Sequence, residues 1–415
     1  MTFNIKYDII LKIKIIQEDE QKMIKFIFDK ASVFVSDSHL KKYDTFSHAG
    51  IFGDCVVDCS EYSVFPGFVD VHVHFREPGF SYKETIASGS AAAARGGYVA
   101  ACTMPNLNPV PDSLENLRVQ LDAIKKDAKI NVIPFGSITK GEKGAELSDL
   151  EEMAPFVCGF SDDGVGVNDR GLMKEAMQRA RALDKVISAH CEDASQIKDS
   201  PEAEWKQIER DVKLADETKV KYHVCHISTK ESVSIIRDAK KSGVDITCET
   251  APHYLIFSER DVKDDGKFRM NPPLRAYEDK LALLTGICDG TIDMIATDHA
   301  PHSAEEKSRG LASLNGIVGL EVAFPVLYTE LVKSGFLRLE ALVELMSYAP
   351  SKRFDIELNG FNVYDLKNEY EISSSEFLSK GKCTPFDKKR VFGRCIATAL
   401  DGKIAYLDEK RLNLK

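Results

Sequence analysis

Between Phe65 and about Pro350 the chain repeats one pattern of apolar and polar positions. A short apolar run of strand length ends in polar or glycine residues, and a stretch with helical spacing follows. The runs are "FPGFVDVHVHF", "YVAACTMPN", "INVIPFGSIT", "FVCGFSDDG", "KVISAHCED", "KYHVCHIS", "VDITCETAPHY" and "IDMIATDHAPH". Predicted helices lie between them, among them Asp169–Leu183 and Lys230–Ser242. About eight such units in roughly 285 residues predict a (β/α)₈ barrel. A doubly wound open sheet is the competing arrangement, but the Gly-rich phosphate loop expected after its first strand is missing from the sequence. The flanks, residues 1–64 and 351–415, alternate over shorter runs such as "VVDCSEYSVF" and "KRVFGRCIATALDGKIAYL". They are expected to form one small β-sheet module from opposite ends of the chain, beside a barrel spanning 65–350. Residues 1–22 read as an extension, because a second strand-like run starts at Met23.

The 415 residues are 43% hydrophobic and 29% charged, the make-up of an ordinary globular protein. Lys and Arg number 55 against 65 Asp and Glu, a net charge of −10, and no basic stripe with interleaved aromatics argues for nucleic acid. A local cation cluster can still dominate a pocket, so an anionic small substrate stays open. No apolar stretch approaches the roughly 18 residues of a membrane helix. The N-terminus lacks a secretory cleavage pattern, and the expected location is cytoplasmic. Ten cysteines are scattered without CxxC pairs and read as reduced thiols. Cys55 and Cys59 form at most a weak metal pair, with nothing nearby to complete it.

The strand ends carry the chemistry. The first run ends in His72, His74 and Arg76, the second in Asn106, the fourth in Asp162 and Asp163, and the fifth in His190. The sixth carries His223 and His226, the seventh leads to His253, and the eighth ends in Asp298, His299 and His302. In a barrel the C-terminal strand ends surround one mouth, where active sites sit. Any one of these residues alone reads as a core histidine or a turn aspartate. Together, four imidazoles and two carboxylates form a donor set that zinc and similar divalent ions accept. His72, His74, His190, His226, Asp298 and one of Asp162/Asp163 exceed the three ligands a single catalytic zinc needs. They suit a two-metal site with a bridging carboxylate.

The motifs "PGFVDVHVHFREPG", "TMPN", "FSDDGVGV", "SAHCED", "YHVCHISTKESV", "TAPHYL", "MNPPLR", "ATDHAPH" and "GIVGLE" closely resemble the dihydroorotases of the amidohydrolase superfamily, the longer bacterial type with a bridging aspartate. The resemblance runs from about Met23 to the C-terminus. It implies a distorted (β/α)₈ barrel, a β module from both termini, and two Zn²⁺ per chain. It makes His72, His74 and Asp298 ligands of one zinc, His190 and His226 ligands of the other, and Asp163 the bridge. It assigns Arg76, Asn106 and His302 to the substrate carboxylate and Asn271 to the pyrimidine ring, with backbone contacts near Asn315 and Gly316. Asp298 becomes the proton carrier in the reversible hydrolysis of dihydroorotate to N-carbamoyl-aspartate, a step of pyrimidine biosynthesis. The resemblance leaves room for a homodimer and for an aspartate transcarbamoylase partner. Two stretches depart from the family pattern: the segment between His190 and His226 is short, and the loop ending "SLNGIVG" lacks the usual proline. Two rivals compete. An allantoinase- or hydantoinase-like amidase would need no carboxylate clamp and is disfavoured by Arg76. A metal-poor scaffold would have lost ligands, and all six stand here.

Overall fold

The computed structural model describes residues 10–14, 23–27, 32–33, 55–58 and 62–410. Cys59 and most of the extension 1–22 lie outside the described residues. Eight parallel strands follow the predicted runs: β1 Phe68–Val73, β2 Tyr98–Thr103, β3 Asn131–Pro134 continued by Gly136–Ser137, β4 Gly159–Ser161, β5 Val186–Ala189, β6 Lys221–Val224, β7 Ile246–Thr250 and β8 Met294–Ile295. Neighbours in sequence pair in parallel from β1 to the first part of β3, and from its second part to β8. The ring closes where Val73 bridges His299, with the His74 N–H donating to the His299 carbonyl at 2.8 Å. This is the (β/α)₈ barrel the periodicity predicts, distorted at two places. The third strand is interrupted at Phe135, and the eighth is only two residues long.

Helices fill the gaps as the spacing requires. Arg170–Ala182 and Lys230–Lys241 match the predicted segments, each opened by a capping side chain, Asp169 and Thr229. The short segment after His190 holds the helix Pro201–Thr218, capped by Ser200. Its Glu204 carboxylate accepts from the backbone N–H of Ser228 and Thr229 and so fixes the loop that follows β6.

Both ends of the chain build the β module. Strands Lys403–Leu407, Arg394–Leu400, Gly360–Asp365, Ser63–Pro66 and Ser32–Val33 lie side by side in one sheet. Ile10–Lys14, Met23–Ile27 and Cys55–Asp58 form a second, three-stranded sheet. An aromatic cluster joins the module to the barrel. The Phe324 ring lies 5.5 Å from Phe65, 5.2 Å from Phe68 and 4.3 Å from Tyr364, centroid to centroid, and Phe324 is fully buried. Phe324→Ala is expected to cost about 3–5 kcal/mol through lost burial and a residual cavity. A drop in the denaturant midpoint checks it, and a loss below about 1 kcal/mol would contradict this cluster as the joint.

Cys102, Cys158, Cys191, Cys225, Cys248, Cys288, Cys383 and Cys395 are free thiols, and among the described residues no helix is long and apolar enough to cross a membrane.

Candidate metal centre

Strand alternation explains half of the site. Side chains at alternate positions share a face, so Asp70, His72 and His74 of β1 and its extension all turn to the barrel interior, and all three are buried. The other half depends on backbone bends. His226, Asp298 and Arg76 have φ of 29°, 47° and 60°, a left-handed conformation that L side chains rarely adopt. On β6, simple alternation would put His226 on the face opposite His223. The bend after Cys225 swings it into the mouth instead. Three strained residues at the ends of three strands are the kind of outlier that clusters at functional sites.

The six histidines and aspartates meet. Asp163 Oδ1 lies 3.3 Å from His72 Nε2, 3.6 Å from His226 Nε2 and 3.8 Å from His190 Nδ1. Its Oδ2 lies 3.5 Å from His74 Nε2. Asp298 Oδ1 lies 3.2 Å from His74 Nε2 and 3.7 Å from His72 Nε2. Among the described residues Asp163 is thus the one carboxylate that faces all four imidazoles. Burial raises its pKa, but the close imidazoles of His72, His226 and His74 outweigh that, and the carboxyl is held well below its usual range. Asp162 is spent elsewhere. Its Oδ1 accepts from the N–H of Ile138 at 2.7 Å and Thr139 at 3.0 Å, capping the loop after β3.

The donor set fits a divalent cation. His72 Nε2 and Asp163 Oδ1 are buried and make no hydrogen bond, although an unsatisfied buried polar atom costs about 1–3 kcal/mol. Three triads bring ligand atoms within 4.8 Å of one another: His72, His74 and Asp298; His72, Asp163 and His226; and His72, Cys225 and Glu249.

Carboxylates and an amide behind the ring define which nitrogen faces inward. His72 Nδ1 donates to Glu249 Oε1 at 2.7 Å, His74 Nδ1 to Asn106 Oδ1 at 2.9 Å, and His190 Nε2 to Glu192 Oε2 at 3.2 Å. Such partners fix the tautomer and orientation of metal-binding histidines. Glu249 and Glu192 escaped sequence reasoning. Glu249 left a trace, a lone carboxylate inside the apolar run "VDITCETAPHY", whereas Glu192 in "HCED" looks like any loop acid. His223 and His299 stay out of the cluster. His223 bonds Thr247 Oγ1 at 2.8 Å and Glu249 Oε2 at 3.2 Å, and His299 accepts from the Gly319 N–H at 3.2 Å. His253 is buried with Nε2 unpaired and belongs to none of these triads.

The residues expected around the substrate are placed as follows. Arg76 is partly buried at the rim; its Nε donates to the Pro301 carbonyl at 3.3 Å, and its Nη2 lies 3.5 Å from His302 Nε2. Among the described residues no carboxylate pairs with this guanidinium. Asn106 spends its oxygen on His74, and its amide lies 3.4 Å from Asp163 Oδ2. Asn271 donates to Glu192 Oε2 at 3.2 Å. The Asn315 carbonyl accepts from His302 Nε2 at 2.7 Å. Gly316 N–H is already used on the Arg269 carbonyl, and at φ 135° a Cβ there would meet the Ala300 carbonyl at 2.4 Å. The shortened segment is anchored to the same floor, with Arg269 pairing Asp199 at 3.2 Å.

Two solved structures share this architecture. The L-hydantoinase (dihydropyrimidinase) from Arthrobacter aurescens superposes with a TM-score of 0.77 over 93% of each chain at 24% identity. The D-hydantoinase (dihydropyrimidinase) from Thermus sp. does so with a TM-score of 0.76 over 87% of this chain and 88% of that one, at 25% identity. A parallel barrel with this histidine and aspartate mouth is that of a metal-dependent cyclic amidohydrolase. Sequence likeness narrows the class. The chain is 48% identical over 414 residues to the dihydroorotase of Fusobacterium nucleatum subsp. nucleatum, covering 93% of this chain and 97% of that protein. It is 44% identical over 412 residues to the dihydroorotase of Staphylococcus epidermidis, covering 92% and 97%. A family profile described as Dihydro-orotase-like matches residues 62–232. The chain belongs to the dihydroorotase family.

Proposed function

We propose that the protein is a dihydroorotase, hydrolysing (S)-dihydroorotate reversibly to N-carbamoyl-L-aspartate with two zinc ions per chain. The observation that carries the substrate is Arg76, a guanidinium with no carboxylate partner among the described residues, beside a metal-binding mouth. A planar guanidinium pairs with a carboxylate through two parallel hydrogen bonds. Dihydroorotate offers that carboxylate next to the ring amide, and hydantoin offers none.

His72, His74 and Asp298 would hold one ion, His190 and His226 the other, with Asp163 between them. Bound zinc supplies a Lewis acid for the ring carbonyl and acidifies a water. The chain's own groups do the rest. Arg76 and His302 grip the carboxylate, which sets the ring amide against the metal-binding cluster, and Asn271 contacts the ring from the β7 side. Asp298 takes the proton of the attacking water and hands it to the departing ring nitrogen. In the reverse direction Asp298 removes that proton as the ring closes.

The test is loss of dihydroorotate's ultraviolet absorbance with the zinc-loaded protein, run beside hydantoin. Turnover of dihydroorotate alone is the expected result. Turnover of hydantoin alone would replace this reading with a hydantoinase, and silence toward both with two zincs bound would remove the enzyme. Glu249→Gln supplies a second check. It leaves His72 Nδ1 with a weaker partner, and zinc affinity is expected to fall about 10- to 100-fold in chelator competition. Unchanged affinity would mean that Glu249 orients nothing.

A further inference from the structure

His302 lies in a web of charges in which each ring nitrogen faces one acceptor and one cation. Its Nε2 lies 2.7 Å from the Asn315 carbonyl, which can only accept, so Nε2 must carry a hydrogen. Its Nδ1 lies 3.3 Å from Lys83 Nζ and 3.2 Å from Glu306 Oε2. Lys83 stands between ring and carboxylate, with Nζ also 3.1 Å from Glu306 Oε1. Glu306 is tethered further by the Tyr82 hydroxyl at 3.1 Å and the Ser303 N–H at 3.0 Å. An ammonium has donors only, and Lys83 can serve both Glu306 and the ring when Nδ1 offers a lone pair. A doubly protonated ring would place a third cation within about 3.5 Å of Arg76 and Lys83. Burial first, then the charges of Arg76 and Lys83, push the His302 pKa down to about 4.

We propose that Lys83 is a positioning residue for substrate. It locks His302 as the neutral tautomer with hydrogen on Nε2, so that this N–H and the Arg76 guanidinium form one donor pair for the substrate carboxylate. The proposal rests on the dihydroorotate reading above. Substrate then replaces the Asn315 carbonyl as the acceptor of the His302 N–H, with no proton to move. Glu306 is the counter-charge that holds Lys83 in place. Nothing in "FSYKET" stands out in the sequence, because Lys83 meets His302 only across a separation of 219 residues.

The test is the long-range ¹H–¹⁵N spectrum of the full-length, zinc-loaded protein with ¹⁵N-labelled histidine and no substrate, with His302 assigned by its loss in His302→Gln. Wild type is expected to show hydrogen on Nε2 and an unprotonated, hydrogen-bonded Nδ1. In Lys83→Met, Glu306 faces the ring without a cation between, and hydrogen is expected on Nδ1. KM for dihydroorotate should rise about 10- to 100-fold, the worth of one hydrogen bond to a charged group, with kcat within about threefold. Lys83→Arg should recover much of both. Hydrogen on Nδ1 in wild type overturns the proposal, even if no variant folds. So does Lys83→Met with the wild-type tautomer and KM. If wild type is silent toward dihydroorotate, the substrate reading fails, while the spectrum still decides what Lys83 does.

Discussion

Asp163→Asn is expected to lower kcat/KM for dihydroorotate by about 10³-fold or more and to reduce bound zinc from the proposed two per chain to one or none. The carboxylate presents two oxygens to four imidazoles, Oδ1 to His72, His190 and His226, and Oδ2 to His74. Asparagine keeps the shape but has a single acceptor oxygen, and its amide nitrogen would aim donors at ring nitrogens that must offer lone pairs to a metal. Breaking a buried charge arrangement costs about 3–5 kcal/mol, and ~4 kcal/mol of transition-state stabilisation is a factor of about 10³ in rate. The fold should survive, since Asp163 makes few structural hydrogen bonds, and its neighbour Asp162 carries the loop after β3. Elemental analysis, circular dichroism and the absorbance assay check the three parts separately. Two zincs retained at near wild-type activity would refute Asp163 as the bridge and direct attention to Asp298.

The barrel was legible because its cause is periodic. Each strand buried on both faces needs an unbroken apolar run, and each helix an amphipathic one, so the eight runs could be read in order. The distortions follow from single residues that periodicity cannot weigh. The run "IDMIATDHAPH" looks like a full strand, yet β8 stops at Ile295. The Ala296 N–H still donates to the Thr250 carbonyl of β7 at 3.1 Å, but the Thr297 N–H goes to the buried Asp70 carboxylate at 3.2 Å, and Asp298 adopts a positive φ. The third strand breaks where Pro134, which has no N–H, precedes Phe135.

The candidate site was legible to the extent that it sits at strand ends. Topology brings those ends together, so histidines 36 to 154 residues apart could be expected to converge without any knowledge of side-chain direction. Spacing left either aspartate of "SDDG" open, and only the family resemblance pointed to Asp163 as the inward one. The choice depends on the loop after β3, whose N–H groups claim Asp162. Sequence could not reveal the supporting layer. Glu249, Glu192, Lys83 and Glu306 are charged residues of ordinary spacing, and their roles arise only from contacts across the mouth. Asn106 shows the same limit from the other side. Resemblance gives it to the substrate carboxylate, whereas its oxygen in this structure holds His74 Nδ1. An asparagine with two polar ends can serve both neighbours, and geometry alone shows which is engaged.

Arg76→Met is expected to raise KM for dihydroorotate about 10²- to 10³-fold while both zincs stay bound. Methionine keeps much of the apolar stem and removes the guanidinium, so the loss reports the charge rather than packing. The dihydroorotate carboxylate would then enter a partly buried rim with only the His302 N–H to receive it, and removing one partner of a buried charge pair costs about 3–5 kcal/mol. The loss must depend on the substrate's charge. Dihydrouracil has the same ring without the carboxylate and gains nothing from Arg76, so its slow or absent turnover should be the same in wild type and variant, and the preference for dihydroorotate should collapse. Since Arg76 also donates to the Pro301 carbonyl at 3.3 Å, a small fall in kcat from a loosened rim is expected in addition. Steady-state kinetics on both substrates, with zinc content measured alongside, separates these effects. A KM shift below about threefold would assign the guanidinium to holding Pro301 and leave the substrate carboxylate to His302 and Lys83.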